Sequence, residues 1–256
     1  MINRFYRSKF DIENLSKLRT SIPTDVDNFN YRGIVVNKPW GYEYLLYENP
    51  FVAAWVLNLN NNHKTSMHCH PNKKTSLIVV SGEVVCSTLE GWLTRKQGDG
   101  IIFDEGVFHT TRAVSKGGAL VIEVESPPNK KDLVRLKDAY GREDQGYEGV
   151  SQMSKNLDAY TYVDFHTYSN GKKMEKLLDH TLLTIASHSY TKDVGDCINK
   201  ARGELLCLLK GKLHDGDGRL ILSAGEVVSV SSLRSMQRLE SFSDILYLTL
   251  SYDKNR

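Results

Sequence analysis

The chain has no long apolar run and no excess of charge of either sign. Its 256 residues include 33 Lys and Arg against 31 Asp and Glu, a net charge of +2. A near-neutral chain offers no basic surface for nucleic acid or for an anionic membrane. Apolar runs such as 77–80 are far shorter than the roughly 20 residues that a membrane-spanning helix needs. We therefore expect a soluble protein with no nucleic-acid partner and no membrane partner.

Cysteine is scarce and forms no sequence motif. Cys69, Cys86, Cys197 and Cys207 lie far apart, and no two of them make a CxxC pair. This spacing argues against a disulfide framework and against a thiolate zinc site. The N-terminal stretch mixes charges with isolated apolar residues and lacks the apolar core of a secretion signal. We expect reduced thiols and a cytoplasmic location.

Proline is absent after Pro128, and the polar stretch 129–160 separates two regions with β patterns. The first region contains strand-like segments punctuated by turns. The residues 11–19, in the first thirty residues, have the acidic start and basic end of a short helix. We predict an N-terminal helical segment at 1–30, a first barrel at 31–145, a linker at 146–160 and a second barrel at 161–256.

The second region repeats the pattern of the first. Residues 77–84 (LIVVSGEV) parallel 206–213 (LCLLKGKL) at an offset of 129 residues, and 98–103 (GDGIIF) parallel 225–230 (GEVVSV) at an offset of 127. We infer an internal duplication that made two units of about one hundred residues. Short strands joined by Gly turns favour two β-sandwiches or small barrels.

Histidines cluster in the first region. In the segment Met67-His68-Cys69-His70, a strand would place His68 and His70 on one face and Cys69 on the other. His109 can supply a third nitrogen from a neighbouring strand. Neutral imidazoles suit Zn, Fe, Ni and Cu, and three of them leave positions open for water or substrate. The alternative is a polar pair of histidines without a metal.

The spacing of these residues resembles the two motifs of the cupin superfamily. The first motif corresponds to 66–70 followed by Ser81-Gly82, and the second to Gly98-Asp99 followed by Gly106 and His109. The resemblance implies an all-β fold of two tandem cupin barrels, each a double-stranded β-helix of jelly-roll type, with a short N-terminal helix. It also implies a divalent metal ion, Zn, Fe, Ni or Mn.

The region 37–142 further resembles the C-terminal cupin domain of type II mannose-6-phosphate isomerases. The matching segments are Lys38-Pro39-Trp40-Gly41, 77–82, 122–126, 132–135 and 140–142. The resemblance implies an isomerase or epimerase that acts on a sugar phosphate or a nucleotide-activated sugar in surface-polysaccharide metabolism. Its metal ligands here would be His68, His70 and His109, and Thr75 stands where the family has a glutamate ligand.

Six other residues are candidates for the chemistry. Lys73 and Lys74 lie in the turn between the ligand-bearing strands, where they can hold a phosphate or stay solvated, and together with Thr75 they are the candidate substrate-binding residues. The candidate bases are Glu123, Glu125 and His63. Glu123 and Glu125 share one face of the last strand of the first barrel, and they are bases only if that face is the barrel interior.

The second repeat has lost the ligand set. The offset places Cys197, Asn199, Glu204 and Met236 at the four ligand positions, and this set suits no hard or borderline metal. We interpret the second barrel as degenerate, with a role in burying barrel surface or completing a homodimer. The alternative is a metal-free ligand pocket around Glu204.

Two alternative functions stay open at this point. Three neutral histidines resemble the iron site of three-histidine non-heme dioxygenases of the same superfamily. A non-catalytic, sugar-binding bicupin is the other alternative, because the second repeat already lacks the ligands.

Overall fold

The structure, a computed structural model, describes residues 1–18, 28–143, 145–155, 162–165, 172–190 and 193–252. Its internal contacts divide the chain into two compact units, one of residues 3–162 and one of residues 1–2 and 163–256. None of the helices in these described ranges is long and apolar enough to cross a membrane.

The first unit consists of β-strands and one helix, α1 (Lys9–Lys17). Its strands are β1 (Ile2–Phe5), β2 (Val35–Lys38), β3 (Gly41–Glu48), β4 (Ala53–Leu59), β5 (Met67–Cys69), β6 (Lys74–Ser81), β7 (Glu83–Thr88), β8 (Trp92–Lys96), β9 (Gly100–Phe103), β10 (His109–Ala113), β11 (Ala119–Ser126), β12 (Val134–Lys137) and β13 (Met153–Ser154).

Strands β4 to β11 have the order of a jelly roll. One sheet contains β9-β6-β11-β4 and the other contains β5-β10-β7-β8, so the chain passes repeatedly between the two sheets. The first sheet is extended by β1 at one edge and by β3, β2 and β13 at the other, while β12 extends the second sheet beside β5. The predicted all-β barrel is confirmed.

The barrel core comes from alternate residues on the strands of the larger sheet. Val121 of β11 lies between Leu57 of β4 and Val79 of β6, and all three are buried in one apolar cluster. Burial of each such side chain contributes roughly 1.5–3 kcal/mol. Two and four residues farther along β11, the same face presents Glu123 and Glu125. The barrel interior is therefore apolar at one end and charged at the other.

Helix α1 packs outside the smaller sheet, as predicted. Ser8 and Asp11 form a capping box at its start, and Leu15 packs against Cys69 and Phe108. The Asp11 carboxylate also accepts a hydrogen bond from the Phe108 main-chain N–H at 2.9 Å. The helix begins two residues before the predicted start, and the N-terminal segment contains strand β1 in addition.

The predicted linker at 146–160 contributes partly to the first unit. Strand β13 pairs with β2, and the Tyr147 hydroxyl donates a hydrogen bond to Glu43. This stretch packs against the first barrel because its polar side chains find charged partners there, which composition alone does not reveal. Residues 156–160 lie outside the described residues.

Among its described residues, the second unit repeats the jelly-roll strand order without a counterpart of β5. Its elements are β14 (Lys173–Leu178), β15 (Thr181–His188), α2 (Gly195–Lys200), β16 (Leu205–Lys210), β17 (Lys212–Asp215), β18 (Leu220–Ser223), β19 (Val227–Ser229), α3 (Val230–Arg234), β20 (Leu239–Glu240) and β21 (Ile245–Tyr252). The sheets have the orders β14-β15-β21-β16-β19 and β18-β17-β20. Helix α2 stands in the chain where the first unit has β5.

Candidate metal centre

Three buried imidazoles meet at the charged end of the first barrel. His68 on β5 is paired directly with His109 at the start of β10, and His70 follows β5 at once. One ligand nitrogen from each ring lies within 4.8 Å of the other two. Cys69 points to the opposite side, against Leu15 of α1. We call His68, His70 and His109 the histidine cluster.

Main-chain carbonyls fix the orientation of all three rings. The Nδ1 atoms of His68, His70 and His109 lie 2.8, 2.6 and 2.9 Å from the carbonyl oxygens of Ser66, Asp132 and Val107, respectively. A carbonyl oxygen only accepts hydrogen bonds, so each Nδ1 carries the proton and each Nε2 keeps a lone pair.

The free Nε2 atoms fit a metal ion. Those of His70 and His109 are buried and have no hydrogen-bond partner. A buried polar atom without a partner costs about 1–3 kcal/mol, and coordination to a metal removes that cost. The cluster can therefore hold a divalent metal ion through three neutral nitrogens.

Burial keeps the three rings neutral. Desolvation lowers the pKa of His109 to about 4. It also lowers the pKa of His68 and of His70 well below the ordinary value, with further lowering of His68 by His109 and of His70 by the Lys73 ammonium. At neutral pH the rings are therefore free of the protons that would compete with a metal.

Thr75 occupies the interior position at which the cupin resemblance places a carboxylate. It lies on β6 opposite Glu125 of β11 and Phe103 of β9, and its buried hydroxyl has no hydrogen-bond partner. The Phe103 ring stacks on His109 with centroids 4.1 Å apart. The cluster thus has an aromatic wall and a neutral hydroxyl where a negative ligand would stand.

The face of β11 that carries Glu123 and Glu125 is the barrel interior. Both residues line a cavity together with His68 and His70. Burial raises the pKa of Glu123 to about 7, although Lys130 opposes the shift. Burial acts on Glu125 in the same direction, but Lys130 and Lys73 outweigh it and lower the pKa. Glu125 stays ionised, whereas Glu123 changes its charge near neutral pH.

The other candidate residues divide between the cavity and the surface. The Lys73 ammonium is buried, pairs with Glu125 at 3.0 Å and donates to the Asn129 carbonyl at 2.8 Å, so Lys73 is not a solvated turn residue. The structure does not bring His63, Lys74 or Thr75 into the cavity lining. His63 is exposed in a turn, with Nδ1 2.9 Å from the Asn61 carbonyl, and this placement argues against its candidacy as a base.

Sequence reasoning missed a set of buried charged residues around the cavity. Together with Lys73, Glu123 and Glu125 they form ten linked ionic groups, which we call the charged network: Lys38, Glu43, Lys73, Glu123, Glu125, Lys130, Arg135, Asp138, Arg142 and Glu148. The one sequence signal was the short apolar pattern around Val134, which makes β12 and sets Arg135 opposite His68.

Lys130 lies at the centre of this network. Its ammonium is 2.8 Å from Glu125, 3.4 Å from Glu43 and 3.6 Å from Glu123. It also lies 4.0 Å from the centroid of the Trp55 ring, a favourable cation–π contact. Lys130 and Lys38 outweigh burial and lower the pKa of Glu43 to about 2.

The cavity is small, with a volume of about 50 Å³. Since one water needs roughly 10–15 Å³ by the same kind of measure, the cavity has room for a metal ion and a few further atoms. A complete sugar phosphate does not fit in this conformation, so a substrate of that size requires movement of the residues that close the barrel.

The described residues of the second unit form no corresponding centre. Cys197 and Asn199 lie on helix α2, and the Cys197 thiol donates to the Val194 carbonyl. In the second unit Leu239 pairs with Asp215, just as Thr111 pairs with Cys86 in the first unit, so Leu239 corresponds to Thr111 at an offset of 128 residues. At this offset the counterpart of His109 is the exposed Gln237, and the predicted counterpart Met236 is wrong. Within the described ranges the histidine cluster is the sole candidate metal-binding group found.

The second barrel does contain a cavity of about 400 Å³. His188, Cys197 and Tyr247 are among its lining residues, and Glu204 is not. This cavity lies beside the stacked rings of His188 and Tyr247, so it is not the pocket predicted around Glu204.

Comparison with known proteins yields similarity at the level of structure alone. No family model and no curated protein sequence matches the chain. Similar solved structures include oxalate decarboxylase from Bacillus subtilis, with 13% identity, 97% of this chain and 83% of that chain covered, and a TM-score of 0.40. KdgF from Halomonas sp. has 16% identity, coverage of 42% and 94%, and a TM-score of 0.32.

An RmlC-like cupin from Shewanella frigidimarina has 19% identity, coverage of 41% and 85%, and a TM-score of 0.31. These identities and TM-scores are too low to indicate a function for this chain. The fold assignment rests on the strand order of this chain, and the site rests on its own geometry.

Proposed function

We propose that the first barrel is a metal-dependent enzyme of the isomerase or epimerase type, acting on a sugar phosphate or a nucleotide-activated sugar. The observation that carries the proposal is the position of Glu123, a carboxyl group in the same cavity as His68 and His70. The resemblance to type II mannose-6-phosphate isomerases supplies the substrate class and a role in surface-polysaccharide metabolism.

The histidine cluster would hold the metal through its three Nε2 atoms. A divalent ion held there would supply Lewis acidity toward a substrate carbonyl and would stabilise negative charge on its oxygen. The three rings need no rearrangement for this role, because their Nδ1 protons are already committed to main-chain carbonyls.

Glu123 would move the proton. With a pKa of about 7, a large fraction of this carboxyl is ionised at neutral pH and can remove a proton from a carbon beside a carbonyl group, then return it to the neighbouring carbon. Lys130, 3.6 Å away, stabilises the carboxylate form of Glu123 before the first transfer and after the second. Glu125 is held by two ammonium groups and does not compete for the proton.

Hydrogen exchange tests the proposal directly. The metal-loaded protein is supplied with candidate aldose and ketose phosphates in deuterium oxide, and incorporation at C2 is followed by NMR. We expect exchange in the wild type, none in Glu123→Gln with its metal retained, and wild-type exchange in the exposed control Glu90→Ala. Absence of exchange with every substrate supplied would contradict an isomerase.

Thr75 favours a second candidate function. Without a carboxylate ligand, the three neutral histidines also suit a non-heme iron dioxygenase, in which open coordination positions serve substrate and O₂. Substrate-dependent uptake of O₂ by the iron-loaded protein would support this candidate. Zinc in the protein purified without added metal, together with no O₂ uptake, would dismiss it.

A further inference from the structure

Three cations from three segments converge on one carboxylate, that of Glu148. Arg142 Nη1 lies 2.6 Å and Arg135 Nη2 3.3 Å from Glu148 Oε1, and Lys38 Nζ contacts Oε2. The side chains of all four residues are at most 10% exposed. Two guanidinium groups and an ammonium around one point are the arrangement with which proteins hold oxyanions.

The three cations line the same cavity as His68 and His70. The charged network contains five cations and five carboxylates, and Glu148 is one of the five. Without Glu148 the network has five cations and four carboxylates, an excess of one positive charge. If Glu123 is also protonated, the excess is two. A ligand that carries one or two negative charges restores the balance.

Glycines near Glu148 give its side chain room to move. It lies between Gly146 and Gly149, and no other atom comes within 4 Å of where a Cβ would stand on either glycine. The backbone on both sides of Glu148 is therefore permissive and uncrowded. Departure of this side chain would also enlarge a cavity of about 50 Å³, which is too small for the proposed substrate.

We propose that Lys38, Arg135 and Arg142 form the phosphate-binding site of the first barrel, and that Glu148 fills this site until the phosphate of a substrate displaces it. The identity of the phosphate as part of a sugar rests on the proposed function. The anion site itself does not depend on that function, since its three cations are in place without metal or substrate.

Titration with inorganic phosphate tests the site. The full chain without added metal is titrated by calorimetry at neutral pH. Wild type should bind weakly, because phosphate competes with the internal carboxylate, and Glu148→Ala should bind about tenfold tighter. Adding Arg142→Met to Glu148→Ala should abolish that gain, and the exposed control Glu90→Ala should match wild type.

Acetate in place of phosphate distinguishes the two oxyanions that the site can hold. A gain for acetate as large as that for phosphate would overturn the assignment to phosphate. No gain for phosphate in a folded Glu148→Ala protein would overturn the site altogether. If Glu148→Ala does not unfold cooperatively, Glu148→Gln removes the charge at constant shape and must show the gain. The same titrations on proteins that also carry His68→Ala, and so lack a metal ligand, should give unchanged results. Failure of the proposed metal-dependent function can therefore be distinguished from failure of the proposed phosphate site.

Discussion

Three main-chain carbonyl groups decide which nitrogen each imidazole of the histidine cluster presents. The Nδ1–H groups of His68 and His109 donate to carbonyls two residues earlier in the chain, those of Ser66 and Val107, and that of His70 donates to Asp132 just before β12. The tautomer is therefore set by the backbone and does not depend on a bound ion. A site of this kind is organised before the metal arrives, which favours affinity.

Replacement of two ligands separates catalytic from structural metal. The double variant His68→Ala/His70→Ala should lose bound metal, as measured by elemental analysis, because one imidazole does not hold the ion. An enzyme should then lose turnover and keep its thermal unfolding midpoint near that of the metal-free wild type. A loss of the folded state in the metal-free wild type as well as in the variant would instead indicate a structural metal.

The pKa of Glu123 predicts a pH dependence of stability. Its folded-state value of about 7 exceeds the ordinary 4.5, so the folded state binds the proton more tightly than the unfolded state. The resulting contribution to the free energy of unfolding is fully present below about pH 4.5 and is lost as the pH rises through 7. The loss is on the order of 3 kcal/mol. Metal-free Glu123→Gln should lack this loss in urea titrations from pH 5 to 8. Equal slopes for both proteins would contradict the prediction.

At the scale of elements, pairing of β11 with β6 and β4 carries the interior face from apolar to charged residues. The alternation of β11 was visible in the sequence, but which face is interior followed only from the register that sets Glu123 beside Leu77. The ligand strand β5 was predictable because its two histidines alternate with Cys69. The pairing of β5 with β12, which sets Arg135 opposite His68, was not predictable. Charged residues such as Arg135 show no periodic pattern from which their buried partners can be read.

Lys130 is the shared cation of three carboxylates in the charged network, so its replacement should strongly reduce the stability of the folded protein. In Lys130→Met the carboxylates of Glu43, Glu123 and Glu125 lose their shared cation while still buried. We expect the free energy of unfolding to fall by about 3–5 kcal/mol, measured by denaturant titration at pH 7. The exposed control Lys116→Met should change it by less than about 0.5 kcal/mol. A small effect at Lys130 would mean that the carboxylates take up protons at little cost.

At the scale of the whole molecule, the duplication was predictable from offsets of 129 and 127 residues, and strand order confirms it in both units. The presence of helix α2 where the first unit has β5 was not predictable, because an alignment at constant offset assumes that both copies have the same elements. Short segments such as 195–200 lack the length at which periodicity separates helix from strand.

The homodimer stays a prediction. Barrels with unpaired strand edges tend to associate through them, and sedimentation equilibrium should give twice the mass of the chain. A concentration-independent monomer mass would contradict this expectation.

The presence of α2 in place of a strand determines what mutation can restore. On a helix, residues two apart project about 200° from each other, so histidines introduced at Cys197 and Asn199 would point in opposite directions. No pair of point substitutions at these positions therefore rebuilds the centre. A designer seeking two metal ions per chain would have to replace the whole segment of α2 by a strand that carries its histidines as β5 does.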